Sequence, residues 1–433
     1  MKLSLFQTVL LIVFGLTALV GLFVFATRTG NNGNGDNAVG PVVIWGTLPK
    51  EGIGATLAAA VQMNQDLKSV SYVQKNPSTL PNDLATAIAT GSSPDLVLSS
   101  QEQLMALAKY LSPIPSSMLS QNAFTNAFIG EGSILATPNG YYGIPFLVDP
   151  LVLFFNRAIL ASAGVARPPS TWEAMTGLVP VVAQMTPARQ ITRGLIALGT
   201  YDNVRNARGI LSSLLLQQGI PISSYSSSGI VANLGQTSQS GVPPGKAVLG
   251  FYTQFADPSK VSYTWNASLQ NSDQAFLAGD LALYLGYSSE ARFFSQGNPN
   301  LDFAVATLPQ PATTNLKSAY GLLYSFMISR GAKNPSGAYQ AAVLLTNPSE
   351  QAAAASATGL APATLTQLSL VPAEPVAVVA YAEALYAKGW LSPTPADTDR
   401  VFSGMIRDVI SGRSTTDTAL VSAERSLTAL LQQ

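Results

Sequence analysis

The stretch YGIPFLVDPLVLFFN, residues 142–156, decides how this chain is read. Its second half, Leu151 to Phe155, is a continuous apolar run without polar alternation, the pattern of a strand buried on both faces. Outward toward the amino terminus, 41–46 (PVVIWG) reads as a strand ending at Gly and 53–63 as an Ala-rich helix. Residues 69–73 read as a second strand, 80–90 as a helix stopped by Gly91, and 95–98 as a third, buried strand. Strand and helix alternate, which favours a parallel α/β sheet.

Toward the carboxyl terminus helices predominate. Two or three are expected between 169 and 218, broken at Pro180 and Pro187, followed by a polar loop over 220–245. A helix over 272–278 with Gly279 as its stop precedes a strand over 281–287, which runs into Ser288, Ser289 and Glu290. Asn334-Pro335 and Asn347-Pro348 each place a cap before a proline at the first helical position, and Glu350 has capping-box spacing from Asn347. Ser414 and Asp417 repeat that spacing ahead of the stripe Leu420, Ala423, Leu427 and Leu430. No fixed-period repeat is visible.

A chain of 433 residues exceeds what one hydrophobic core usually supports, so two domains or lobes are expected. With 47% apolar residues there is enough side-chain area to offset chain entropy, and the chain reads as folded. The 23 basic and 23 acidic residues cancel without long runs of either sign, which speaks against nucleic acid as a partner. Cysteine and histidine are both absent. That excludes disulfides, thiol catalysis, the common His-bearing triads and zinc sites, and leaves only carboxylate or lysine chemistry. No metal or organic cofactor is indicated.

Residues 5–26, LFQTVLLIVFGLTALVGLFVFA, carry no charge, and 22 residues at 1.5 Å rise cover a hydrocarbon core of roughly 30 Å. They read as a retained amino-terminal transmembrane helix within an anchor over 1–28. The competing reading is a cleaved signal peptide, with Val24 and Ala26 before the cut, although such apolar regions usually run to only about 7 to 15 residues. Lys2 inside against Arg28 outside places the body on the extracytoplasmic face of the cell membrane. The Gly- and Asn-rich stretch 29–40 reads as a flexible tether.

The quoted stretch, with Gly164 and PSTWE at 169–173, resembles the inter-lobe segment of family 1 extracellular solute-binding proteins, the maltose-binding-protein-like group. Other segments agree in the family's order: AIATGSSPDLV at 87–97, AFLAGDLALY at 275–284, DFAVATLP at 302–309, ISRGAKNP at 328–335 and GLAP at 359–362. The resemblance covers nearly everything from Val42 onward. It implies a two-lobed periplasmic-binding-protein-like α/β fold of the class II type. Lobe one takes 41–149 plus 310–347 and lobe two takes 151–308 plus 348–433. A small ligand, a sugar or oligosaccharide, is then held between the lobes by a monomer that hands it to an ABC importer's permease. A ligand touching both lobes shifts the hinge toward closure by its preference for the closed state.

By the same resemblance Gly46 and Thr47, after the first strand, lie at the cleft, with Ser99 and Gln101 beside it. Loops at the carboxyl ends of parallel strands are where ligands sit in open α/β sheets. Asp149 lies on the crossing segment, where a carboxylate can accept two sugar hydroxyls, although it is also a turn-former before Pro150. Tyr201, Tyr287 and Ser288 match contact positions in lobe two. Trp265 and Asn266 offer an indole to stack on a pyranose and an amide to bond its hydroxyls. Tyr320 and Gly321 match the second crossing. Trp45 and Trp172 read as structural. Few basic residues fall at these positions, which argues for a neutral ligand over a phosphate-bearing one. The chain departs from the family in having no lipid-anchor cysteine, so the helix takes over that role. Two readings stand beside transport: a ligand-sensing surface module, and a surface glycosidase or lyase, for which no two acids stand out as a pair. The expectation is a binding protein and not an enzyme.

Overall fold

The protein is described from a computed structural model over residues 39–236, 243–313 and 316–433. The expected anchor, and all of the tether but its last two residues, lie outside the described residues. Among the described residues no helix is long and apolar enough to cross a membrane.

Eight principal strands carry the fold: β1 Val42–Gly46, β2 Val70–Gln74, β3 Leu96–Ser100, β4 Gly143–Asn156, β5 Ile191–Ile196, β6 Leu281–Tyr287, β7 Phe303–Ala306 and β8 Ala319–Ile328. They lie in one sheet path in the order β2-β1-β3-β8-β4-β6-β5, with β7 also paired to β4. At one end β1 is parallel to both β2 and β3; at the other β5 is parallel to β6. β8 and β4 run antiparallel between them.

β4 is the stretch on which the sequence reading turned, and all 14 of its residues are buried. At about 3.3 Å per residue it is roughly 45 Å long, enough to run through two lobes. Its first half, Gly143 to Pro150, pairs with β8. Its second half, from Leu151, pairs with β6 and β7. The hydrophobic interior divides at the same place. Val42, Ile44, Leu98, Phe146, Val148 and Phe326 belong to one core. Leu151, Phe154, Leu195, Phe276 and Phe294 belong to another. In the second core the Phe154 and Phe294 rings meet nearly edge to face at 5.3 Å, the geometry that aromatic quadrupoles favour.

The chain passes between these cores three times: at Asp149-Pro150, at Tyr320 to Leu322, and at Ala387-Lys388, which pair with Ala319 and Tyr320. The third passage differs from the expected partition. Residues 348–433 do not all follow the second lobe, because Ala354, Ala355, Leu360, Ala380 and Ala384 pack in the first core. Ala361-Pro362 pairs with Val148 and Leu147 of β4, which keeps the chain there until Ala387. Ala319 and Tyr320 likewise belong to the second core, so 310–347 is not wholly lobe one.

Other expectations shift locally. The region read as helices before residue 218 contains strand β5, whose buried Gly194 and Leu195 pack among β6 and the Thr264–Trp265 segment. Pro180 starts the short helix Val179–Val182 instead of breaking one. The expected loop over 220–245 contains the hairpin Ser223–Ser226 and Gly229–Ala232. Asn347 makes no side-chain cap, and Glu350 accepts from Ser349 Oγ at 2.5 Å. The last helix is capped by Thr415, one residue beyond Ser414.

Asp95, entering β3, accepts from the backbone N–H of Val43 at 3.0 Å and those of Lys333 and Asn334 at 2.9 Å, which ties β1 to the start of the helix Pro335–Leu345. Asn334 then caps that helix by accepting from Gly337 N–H at 2.9 Å, and donates to the Val39 carbonyl. Replacing Asn334 by Ala is expected to cost about 1 kcal/mol. A lower urea midpoint with an unchanged slope would be the readout.

Candidate functional site

The crossing strands form a floor whose two faces follow from register. Directly paired residues point to one side, and side chains alternate along a strand. Asp149 pairs with Leu322, and Leu151 pairs with Tyr287. Asp149, Tyr287, Tyr320, Leu322 and Tyr324 therefore share one face. Val148, Gly321 and Leu323 share the other. Leu322, Tyr324 and Tyr287 are only half-buried, so the first face is the open one. Immediately after Tyr324 the β8–β4 register shifts by a bulge, a feature that bends a strand and re-aims its side chains.

Over this face Glu102 and Arg208 meet. Glu102 follows β3 in the first lobe, and Arg208 lies in the first turn of the helix Ala207–Gln217 in the second. The guanidinium binds the carboxylate through two parallel bonds, Nε to Oε1 at 2.9 Å and its second arm to Oε2 at 3.0 Å. Tyr320 donates its hydroxyl to Glu102 Oε1 at 2.6 Å. On the far side Arg208 reaches Asp399 at 2.6 Å, and Tyr201 donates to the other Asp399 oxygen at 2.5 Å. Burial works against the Arg208 charge, but Glu102 and Asp399 more than offset it and raise its pKa.

Asp149 is 5% exposed and has three of its four lone-pair sites engaged. Ser288 Oγ and Ser289 N–H donate to Oδ1 at 2.9 and 3.1 Å, and Ser289 Oγ donates to Oδ2 at 2.6 Å. Burial pushes its carboxyl up to about 6 while the serine bonds act the other way. Next to it Glu290, also pushed up by burial to about 7, accepts from Tyr284 and Asn206.

The expected site residues separate into groups. Asp149, Tyr287, Tyr320 and Ser288 come together at the crossings. Gln101 is beside them, but its side chain acts as a strand extension: Nε2 donates to the Gly321 carbonyl at 2.8 Å and Oε1 accepts from Leu323 N–H at 2.7 Å. Gly321 faces away from the open side, where a Cβ would meet Val148 and Ala387 at about 3 Å. Gly46 is covered by the Tyr72 ring, and Thr47 N–H donates to the Leu98 carbonyl. Ser99 is buried, and its hydroxyl lacks a partner among the described residues. Tyr201 stands behind Arg208.

Trp265 and Asn266 are placed elsewhere. Trp265 is 1% exposed, packs against Gly194 and donates to Asn203, so it has no open face for stacking. Gly194 pairs with Leu281, at the opposite end of β6 from Tyr287 and therefore roughly 20 Å away along the strand. Asn266 closes its own turn by accepting from Ser268 N–H. Glu102, Arg208, Asp399 and Tyr324 were missed. Glu102 adjoins Gln101 in a loop already marked, whereas Arg208 and Asp399 carry no local signal.

Polar atoms still available on the open face are the Tyr287 and Tyr324 hydroxyls, which make no hydrogen bond among the described residues. Burial raises both above the ordinary tyrosine value, so they are neutral phenols that can donate and accept. Among the described residues no cluster of acidic side chains forms a metal-binding group.

A family model described as bacterial extracellular solute-binding protein matches residues 56–382, well over half of the chain. Among curated proteins the sequence finds no match. Among solved structures it is similar to the cyclic α-maltosyl-1,6-maltose binding protein from Arthrobacter globiformis, at 16% identity and a TM-score of 0.73, covering 91% of this chain and 100% of that one. The sugar-binding protein MalE of Xanthomonas citri is 19% identical with a TM-score of 0.71, covering 90% and 97%. The maltose/maltodextrin-binding domain from Bdellovibrio bacteriovorus, bound to maltotriose, is 16% identical with a TM-score of 0.66, covering 91% and 100%. At such identities these likenesses establish the shared fold.

Proposed function

The chain belongs to the bacterial extracellular solute-binding proteins, and from that premise we propose that it captures a small carbohydrate between its lobes and delivers it to the permease of an ABC importer. The observation that carries the ligand class is the open face itself. Tyr287, Tyr324 and Leu322 supply aromatic and apolar surface over the buried Tyr320, and the Tyr287 and Tyr324 phenols, unbonded among the described residues, can bond hydroxyls, the mixture that sugar rings require. The likeness to maltodextrin- and maltotriose-binding proteins supports the same class. Gly46, Thr47 and Ser99 border the cleft from the first lobe, and Asp149, Ser288, Gln101 and Gly321 build its floor. The cleft acids Asp149 and Glu102 are each held by protein donors, which favours binding over acid–base chemistry. Residues 1–28 hold the monomeric body at the extracytoplasmic face through the 29–40 tether, and no cofactor takes part.

A thermal-shift titration of the full chain with maltotriose, maltotetraose and mannotriose tests this reading, with amino acids and polyamines as comparison solutes. A ligand that binds only the folded state at 100 times its Kd adds about 2.7 kcal/mol. At least one sugar is expected to raise the melting temperature in a concentration-dependent way. For that sugar, Tyr287→Phe is expected to weaken binding about fivefold, the worth of one neutral hydrogen bond. A flat response to every sugar, with a shift from an amino acid or polyamine, overturns the carbohydrate assignment.

A further inference from the structure

We propose that the Glu102–Arg208 pair is a latch that closes the two lobes on each other without any ligand. This concerns the resting shape of the cleft proposed above and does not depend on what the cleft binds.

The pair bridges the two bodies over the open face, whereas their other contacts lie at the crossing segments and on the helices beside them, where Arg292 donates to the Ser356 and Ala357 carbonyls and Leu308 N–H to Glu383. Glu102 sits just past β3, whose residues Leu96 to Leu98 lie in the first core. Arg208 sits between Ala207 and Ile210 of the second. Each partner is also held by a further side chain, in both cases one rooted in the second core. Asp399, on the helix Pro395–Ile410 whose Phe402 and Ile406 are in the second core, fixes the guanidinium at 2.6 Å. Tyr320, on the hinge strand, fixes the carboxylate at 2.6 Å, and the backbone of that strand is pinned by Gln101, the neighbour of Glu102. The two ions therefore face each other with their side-chain freedom already restricted. That removes the entropy cost which makes most surface pairs worthless. The bond is bidentate, and Glu102 is 5% exposed, so it is little screened by salt. Among the described residues the other ion pairs join residues of one lobe, such as Arg205 with Asp273 at 3.3 Å. On opening, Arg208 would keep Asp399 and Glu102 would return to water, so neither ion is stranded in the interior and the latch can cycle.

Ligand then joins a cleft already biased toward closure. The Tyr287 and Tyr324 hydroxyls, which the latch does not use, remain for it. A pre-closed population raises apparent affinity by the fraction that is competent to bind.

The chain has no cysteine, so Gln62→Cys in the first lobe and Gln296→Cys in the second give a clean dye pair for single-molecule energy transfer on the full chain without ligand. The wild type is expected to show a high-transfer, closed population. Glu102→Gln is expected to lower the closed-to-open ratio about tenfold, the worth of a charge-assisted bond. Arg205→Gln, which breaks a pair inside one lobe, should leave the ratio unchanged. Should Glu102→Gln leave the distribution as it is in the wild type, or should the wild type be wholly open, the latch is refuted. If Arg205→Gln shifts it equally, the effect is general loosening and the proposal fails as well. None of these outcomes bears on whether a sugar binds, which the thermal-shift titration decides separately.

Discussion

At pH 8 the Glu131→Gln protein is expected to melt at a higher temperature than the wild type, and at pH 5 at a slightly lower one. Glu131 is 5% exposed, and neither carboxylate oxygen has a partner among the described residues. It lies on the closed side of the crossings, where its oxygens are 2.7 Å from the place a Cβ on Gly389 would occupy and 3.2 Å from that on Gly321. No ion pair reaches it among the described residues, and burial pushes its carboxyl well above the usual range. In the unfolded chain the same group titrates near 4.3. The folded pKa is thus the higher one, so the fold holds a proton that the unfolded chain releases. The stability this gives is complete below about pH 4 and declines as pH rises, by about 1.4 kcal/mol per pH unit until the folded pKa is reached. From pH 5 to pH 8 the decline amounts to at most about 4 kcal/mol. Glutamine does not titrate. Its unmet amide donors cost about 1 to 3 kcal/mol at every pH, which sets the order of the two proteins at pH 5. Asp149, Glu290 and Glu383 are also raised by burial, but they are common to both proteins, so the difference between the two slopes isolates Glu131. Calorimetry at four pH values from 5 to 8 would show it, and parallel curves would mean that Glu131 is hydrated or paired.

What could be read from the sequence was whatever is local or periodic. The β4 run announces itself because a strand buried on both faces has no polar positions. β1, β3 and β6 follow from short apolar runs with Gly or polar stops. Asn334-Pro335 fixes a helix start because the cap and the proline act within three residues. Strand β5 was lost because ITRGLI is short and has two polar positions, and its identity comes from pairing with β6, ninety residues on. The capping box at Asn347 is also incomplete: its side chain makes no cap, its N–H donates to the Leu344 carbonyl, and Glu350 accepts from Ser349 instead. The site divides in the same way. Asp149, Tyr287 and Tyr320 were reachable because they sit on recognisable crossing segments. The ion pair joins positions 106 apart, and the Arg208–Asp399 bond positions 191 apart, so no spacing rule could connect them. Trp265 shows the converse hazard: a large aromatic beside a polar residue looks like a stacking platform until burial shows that the ring has no free face.

Asp149→Ala and Asp149→Asn are expected to part company, and the way they do so determines what the crossing carboxylate is for. Asp149 sits where β4 leaves the first core, and it collects Ser288 and Ser289 from the end of β6, so it clamps the turn that leads into the helix Glu290–Gly297. Alanine leaves the buried Ser288 hydroxyl and the half-buried hydroxyl and N–H of Ser289 around a missing acceptor, a loss of about 1 to 3 kcal/mol. The loss should depend on pH in a defined direction. Burial raises the folded pKa from 3.8 to about 6, so the wild-type contribution is full below about pH 4 and is partly lost as pH rises through 6. Alanine therefore costs more at pH 4.5 than at pH 7.5. Asparagine keeps an acceptor of the same shape, and serine hydroxyls can accept from its amide, so its melting temperature should stay near that of the wild type and lose the pH dependence. Binding of the sugar identified by the titration then separates two roles. If Asp149 is a clamp, the asparagine variant keeps its affinity within about threefold, and the alanine variant loses affinity together with stability. If the carboxylate contacts the sugar directly, the asparagine variant loses about tenfold or more at unchanged stability, because a charge-assisted bond has become a neutral one. With three of the four lone-pair sites of the carboxylate already taken by Ser288 and Ser289, the clamp is the expected outcome.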